Sequence, residues 1–311
     1  MRKFISKTLL FAIPLIIILI AVIFKAGGKT DPFYVRFTTP KHQNMILGTS
    51  RAAQGLQPKI FRSILGKNIG NFAFTVAHSP FGKVYYESIK RKLYKEKGGL
   101  FIVTIDPWSI SSWSSDPNNL SVFRENRLCL NKTKIVDLNP NIFYLRENFS
   151  GKYNELINSK NDKIYLHKDG WLEISNIAMD SLSVSKRIDN KVQTYKYTHL
   201  PKTNISSVRL KYLIKIIDYL KVYGQVFIVR LPIHKRVMEV EEELMPDFDS
   251  KIKGAIDLSN GYLDMTIQND LFEYTDGNHL YKTSGGEVSA IIANWIKEQD
   301  KTRTHNNVYK K

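Results

Sequence analysis
The chain has 311 residues, 46 Lys and Arg against 29 Asp and Glu, and a formal net charge of +17. Hydrophobic residues at 43% and charged residues at 24% match a globular protein with material for a core, and exclude a disordered or collagen-like chain. The single cysteine, Cys129, excludes an internal disulfide, and no Cys/His cluster has zinc spacing, so neither metal nor cofactor is expected. The basic residues are scattered rather than clustered, so the charge reads as compositional and nucleic acid is not an expected partner.

Leu9 to Phe24 is an uncharged apolar run between Lys7 and Lys25, about the length that crosses a bilayer. A cleaved signal peptide is the rival reading, but the run is long for one and no Ala-x-Ala site follows it. The expectation is a transmembrane helix over 8–25, with basic residues 1–7 in the cytoplasm and the rest of the chain outside. The membrane is therefore an expected partner. Residues 26–43 carry Gly, Pro and Thr with little apolar periodicity and read as a connector.

An α/β domain is predicted over 44–299. Asn44 to Leu47 is a short apolar strand that ends at Gly48, and Gly55 and Pro58 break up the helix that follows. Asn68 to Thr75 alternates like a strand, and Ser79-Pro80 reads as the cap and first residue of a helix carrying Val84, Tyr85, Ile89 and Leu93. Leu100 to Ile105 is a continuous apolar run, as in a central parallel strand. From 107 to 201 the rhythm stops: this polar stretch, rich in Asn and Ser, reads as an insertion or cap. It resumes with Ser206 or Ser207 capping a helix with Val208, Leu210, Leu213, Ile216, Ile217 and Leu220 on one face, then a strand from Gln225 to Leu231. A polar helix is expected from Glu239 to Ile256 and a short strand from Gly261 to Met265. Ser284-x-x-Glu287 reads as a capping box for a last helix that buries Val288, Ile291, Ile292 and Trp295, with a disordered tail over 300–311.

Two stretches carry chemistry. Asp276-Gly-Asn-His279 is the only Asp-x-x-His in the chain; its carboxylate can hold one imidazole nitrogen and leave the other free as a general base. Gly48-Thr49-Ser50 places a serine where the first strand turns into a helix, the position of an activated nucleophile. In an open parallel sheet, groups beyond the carboxyl ends of the strands collect in one crevice, which would bring Ser50, Asp106 and the Asp276–His279 loop together. His42, His78 and His234 also lie near strand ends and read as structural or solvent-facing.

Gly48-Thr49-Ser50 resembles the first motif of the SGNH (GDSL-type) hydrolases, and Asp276-x-x-His279 followed by Leu280 and Gly285 resembles their last. The nearest likeness is to the membrane-anchored branch that includes the D-alanine-transfer protein of teichoic-acid esterification. The resemblance implies a three-layer, doubly wound, flavodoxin-like parallel sheet with a long insertion after the third strand. It implies an extracytoplasmic esterase or O-acyltransferase with Ser50 as nucleophile, His279 as base and Asp276 as its orienter. The substrate would be envelope carbohydrate or an acyl-polymer, with a membrane acyltransferase as partner.

Asn71 to Val76 resembles the second motif, implying Asn71 and the Val76 backbone as oxyanion donors, although Val76 stands where the family has Gly. The third motif, Gly-x-Asn-Asp, is not visible, and Asp106-Pro107 occupies the end of that strand. Asp106, Trp108, Trp113 and Trp171 are expected in the substrate pocket, where aromatic faces suit sugar rings. The alternatives are that the tryptophans only pack the insertion on the sheet, and that the protein is a catalytically inactive scaffold or glycan-binding protein.

Overall fold
The structure is a computed structural model that describes residues 1–157 and 162–308. The first helix, α1 (Arg2–Ile23), has 22 residues and buries none of them. At about 1.5 Å per residue it extends about 33 Å, and its mean hydropathy of 2.5 makes it long and apolar enough to cross a bilayer.

The chain then runs through β1 (Met45–Leu47), α2 (Ser50–Gly55), α3 (Pro58–Leu65), β2 (Gly70–Asn71), α4 (Lys83–Lys92) and β3 (Gly99–Thr104). Next come the pieces of the insertion: β4 (Ser111–Ser112), α5 (Cys129–Lys132), α6 (Ile142–Asn148), α7 (Tyr153–Ile157), β5 (Ile164–Leu166), β6 (Leu172–Ile174) and α8 (Ser181–Thr194). After β7 (Asn204–Ile205), the rhythm returns with α9 (Ser207–Lys221), β8 (Gly224–Arg230), α10 (Lys235–Leu244), α11 (Phe248–Leu258), β9 (Gly261–Asp264) and α12 (Lys282–Val308).

Five strands form one parallel sheet in the order β2-β1-β3-β8-β9. Every residue of β1 and β3 is buried. Successive side chains point to opposite faces, so both faces of the sheet centre are covered. The covering helices fall into two groups: α2 and α3 pack with α12, while α9 packs with α4 and α11. The chain moves outward from β1 to β2 and then returns past β1 to β3, which leaves a crevice beyond the ends of β1 and β3.

Several local expectations are corrected. The strand expected over Asn68 to Thr75 is only Gly70–Asn71, because its partner β1 is three residues long and the Thr75 carbonyl closes a turn by accepting from His78 and Ser79. Ser79 does not cap α4, which starts at Lys83; its hydroxyl is spent on the Gly48 carbonyl and accepts from the Phe74 N–H. The single helix expected from Glu239 to Ile256 is two, α10 and α11, interrupted where Pro246 lacks an N–H and disfavours a helical Met245. Nor does Ser284 cap α12. It lies inside the first turn and accepts from the Glu273 N–H, while Ile291 is exposed and Ser289, Ala293 and Ile296 are buried instead.

The connector expected over 26–43 is partly core: Tyr34, Val35 and Phe37 are buried, and Arg36 donates to the carbonyls of Pro32, Asn71 and Gly170. The backbone expected to be a disordered tail from 300 is helical through Val308; residues 309–311, like 158–161 of the insertion, lie outside the described residues. The insertion is not one polar excursion. Cys129, Leu130, Tyr144 and Leu166 join the main core, and β4 pairs with β7 where the chain re-enters the domain.

Candidate active site
At the end of β1 the chain makes a turn that few sequences tolerate. Gly48 has φ +143°, and a Cβ there would lie 1.9 Å from Thr104 Oγ1 on the neighbouring strand. The turn is fixed from both sides. The Gly48 N–H donates to Tyr85 Oη at 3.0 Å, and the Ser79 hydroxyl donates to the Gly48 carbonyl at 2.7 Å. Thr49 precedes α2 and donates to Asp106 Oδ2 at 3.1 Å, so Ser50 opens the helix from a rigid base.

The loop before α12 is organised by Asp276. Its Oδ1 accepts from the N–H groups of Asn278 and His279, each at 3.0 Å, around Gly277 at φ +82°. This turn brings the His279 ring against the carboxylate, with Nδ1 3.0 Å from Oδ1 and 3.1 Å from Oδ2. On the other side of the ring, Nε2 lies 2.9 Å from Ser50 Oγ. The structure thus brings together all three residues that the sequence singles out at its two ends.

A carboxylate at Nδ1 favours a proton there, which leaves the Nε2 lone pair facing the serine hydroxyl. Burial works to raise the Asp276 carboxyl, but His279 and Lys191 outweigh it and hold it well below the usual carboxylate range. Lys191 Nζ is 2.8 Å from Asp276 Oδ2. The lysine comes from α8, a helix within the insertion that the sequence reading does not anticipate.

Beneath the loop lies a buried charged cluster. Arg51 donates to Asn278 Oδ1 through Nε and Nη2 and to Glu241, whose side chain is fully buried; Arg230 lies on the far side of Glu241 at 3.9 Å. Asn278 Nδ2 in turn lies 3.1 Å from His279 Nε2. Arg51 follows Ser50 and Asn278 sits inside the Asp-x-x-His motif, so adjacency was the available signal for both. Nothing local marks Lys191 or Glu241.

The remaining expected residues divide. Asn71 is corrected as an oxyanion donor: its Nδ2 donates to the carbonyls of Ala52 and Leu56 at the end of α2, while Oδ1 accepts from the Ala73 N–H. Both amide hydrogens are therefore spent. Asp106 is likewise no substrate group, since it is buried, accepts from Thr49 and caps the turn at Ser109. Trp171 is buried in the seam between insertion and α2, donating from Nε1 to the Gln54 carbonyl at 2.7 Å and stacking on His167.

Val76, Trp108 and Trp113 do meet, lining a cavity of about 280 Å³ together with Phe123, Arg124 and Ser112. Trp113 stacks on His199 at 4.5 Å with 40% of its surface exposed. Trp108 leans on Tyr195, whose ring also receives the ammonium of Lys191, so the cavity wall and the Asp276 partner share one aromatic support.

His78 and His234 serve locally. His78 shares a short contact of 2.7 Å with Thr75 Oγ1, and His234 accepts from the Arg236 N–H at the start of α10. Among the described residues, no group of three or more His, Cys, Asp and Glu side chains could hold a metal ion. No family model matches the chain, and no curated protein matches it.

Proposed function
We propose that this protein is a serine esterase or O-acyltransferase of the SGNH type, anchored by α1 with its α/β domain outside the membrane and acting on envelope glycan or an acyl-polymer. The observation that carries the reading is the linear array Asp276, His279, Ser50, with contacts of 3.0 Å and 2.9 Å. Supporting it, the sheet counted among its own strands has the order 2-1-3-4-5, which is the flavodoxin-like order, with Ser50 beside its switch point. The likeness to SGNH hydrolases rests on the motifs at Ser50 and at Asp276 to His279.

In the reaction so read, Ser50 Oγ bonds to the acyl carbon as His279 Nε2 takes its proton. The alkoxide leaving group departs with that proton. Water or an acceptor hydroxyl then repeats the sequence in reverse, giving hydrolysis or transfer, and a transferring enzyme would take its acyl groups from a membrane acyltransferase. A second reading, an inactive scaffold or glycan-binding protein, is favoured by two observations: the Asn71 amide is consumed internally, and an acidic Asp106 stands where an amide donor would be expected.

Labelling with a fluorophosphonate separates the two. Serine attack on phosphorus expels fluoride, so the parent should form a stable adduct at Ser50 and Ser50→Ala should not. An unlabelled parent that binds glycan would support the scaffold.

A further inference from the structure
Asn278 stands between Arg51 and His279, and its amide has no freedom to turn over. Oδ1 lies 3.0 Å from Arg51 Nε and 2.8 Å from Nη2. A guanidinium has only N–H donors, so the amide atom that faces it must be the oxygen. The same orientation sends the Nδ2 hydrogens towards His279 Nε2, 3.1 Å away. A donor aimed at Nε2 needs a lone pair there, the same single lone pair that faces Ser50 Oγ at 2.9 Å, and hence the proton on Nδ1.

Asp276 imposes the same choice from the opposite edge of the ring, through its contacts with Nδ1. We infer that Arg51 and Asn278 form a second tautomer lock on His279, acting on the ring nitrogen opposite the one that faces Asp276. Both are positioning residues. Arg51 is covalently next to Ser50 and is held by the fully buried Glu241, so nucleophile and base are joined by a short closed circuit: Ser50, Arg51, Asn278, His279 and back to Ser50. The circuit fixes the distance between hydroxyl and imidazole as well as the tautomer, which is the supporting shell that a serine nucleophile needs.

Its catalytic consequence rests on the esterase or acyltransferase reading, but its structural content does not, so the test has two arms. The first follows the imidazole nitrogens of His279 by NMR on the full chain in detergent micelles, with 15N-labelled histidine and His279→Gln for assignment. The background is Ser50→Ala/Asp276→Ser: the first change removes the other donor that faces Nε2, and the second leaves a hydroxyl that can still accept the backbone N–H groups of the turn. There, Asn278 alone should keep the proton on Nδ1, and adding Asn278→Ala should lose that preference. The same tautomer in both proteins would overturn the lock.

The second arm measures Ser50 labelling by a fluorophosphonate. Asn278→Ala should slow it by about tenfold, the scale of a misplaced general base, when parent and variant are both assayed below the melting transition that the unpaired Arg51 donors lower. Asn278→Asp keeps the acceptor for Arg51 but lacks the N–H for Nε2, and should be as slow. A rate equal to that of the parent in both variants would also defeat the proposal. A parent that shows the Nδ1 tautomer yet takes no label would sink the esterase reading and leave the lock standing.

Discussion

Lys191 Nζ lies 2.8 Å from Asp276 Oδ2, the same oxygen that stands 3.1 Å from His279 Nδ1. The insertion therefore reaches the candidate catalytic array with a charge, and the carboxylate that orients the imidazole is itself oriented by a lysine. Arg187, one turn earlier on α8, donates to the Thr275 carbonyl and ties the same helix to the same loop.

Replacing Lys191 with Met should loosen Asp276 without removing it. The pair is partly exposed, with a quarter of the lysine side chain accessible, so its loss should cost only about 0.5–1 kcal/mol in urea unfolding at pH 7. The pH dependence has a definite sign. Asp276 is held below its ordinary value of 3.8, so its stabilising contribution is full above about pH 4 and fades as acid protonates it. The gap between parent and Lys191→Met should persist at pH 5 and narrow below about pH 3. A gap that widens in acid would show that Lys191 acts elsewhere.

The buried Arg51–Glu241 pair allows stability to be separated from chemistry. Arg51→Met alone leaves a carboxylate with no exposure and only the longer 3.9 Å contact with Arg230, and should cost about 3–5 kcal/mol. The double variant Arg51→Met/Glu241→Leu replaces both charges with apolar groups and should recover most of that loss in the same unfolding assay. If Arg51 serves only stability, Ser50 labelling should recover with it; if it holds Asn278, labelling should stay slow.

Much of this architecture was legible because local patterns were strong. The continuous apolar run of β3, a serine cap for α9 that Ser206 or Ser207 could supply and Ser206 does, and the Gly-Thr-Ser turn are strong local signals, and the structure adopts them. The array of Ser50, His279 and Asp276 was legible because its members sit in short motifs. What escaped were groups whose local appearance is ordinary and whose meaning is tertiary. Asn71 resembles a free amide until the carbonyls of Ala52 and Leu56 claim both hydrogens. Ser79 before Pro80 is a good cap until Gly48 takes its hydroxyl. Lys191 and Glu241 are two of many charged residues on polar helices; the folding of α8 against the His279 loop gives the first its partner, and the meeting of α2 with α10 gives the second Arg51.

Gly48→Ala tests whether the nucleophile turn is as constrained as its geometry implies. The substitution forces a Cβ into Thr104 Oγ1 at 1.9 Å and a non-glycine residue to φ +143°. Strain of this kind costs about 1–3 kcal/mol before any displacement of β3 is counted. Thr104→Ala removes the hydroxyl that the new methyl meets but not the backbone conflict, so it should rescue only part of the loss. Full rescue in chemical denaturation would place the whole cost in the contact.

His78 gives a prediction at mildly acidic pH. Burial, followed by repulsion from Arg124 and Arg36, pushes its imidazole down from 6.5 to about 4. The unfolded chain then binds a proton that the folded chain refuses between about pH 6.5 and 4, so stability should fall as pH drops through that window. His78→Asn can keep a hydrogen bond to Thr75 and cannot titrate there. Its urea midpoint should change less between pH 7 and pH 5 than that of the parent, and an equal change would remove His78 as a cause.

Trp113 bears on whether an acyl group would be transferred or lost to water. It is the most exposed of the tryptophans in the cavity, backed by His199 at 4.5 Å in a near-parallel stack, and Trp108 and Val76 complete that wall. A flat, supported aromatic face of this kind suits a sugar ring, and a seated sugar would displace the water that competes for the acyl-enzyme. Neither Ser50 nor His279 lines the cavity, so Trp113 should matter for an acceptor held in the cavity and little for Ser50 itself. Trp113→Ala is therefore expected to lower transfer to a glycan acceptor by about tenfold while leaving the rate of Ser50 acylation by a small activated ester within about twofold. Trp171→Ala, outside the cavity and bonded to Gln54, should instead lower stability and affect both rates alike. Equal losses of transfer and acylation in Trp113→Ala would reduce the residue to packing.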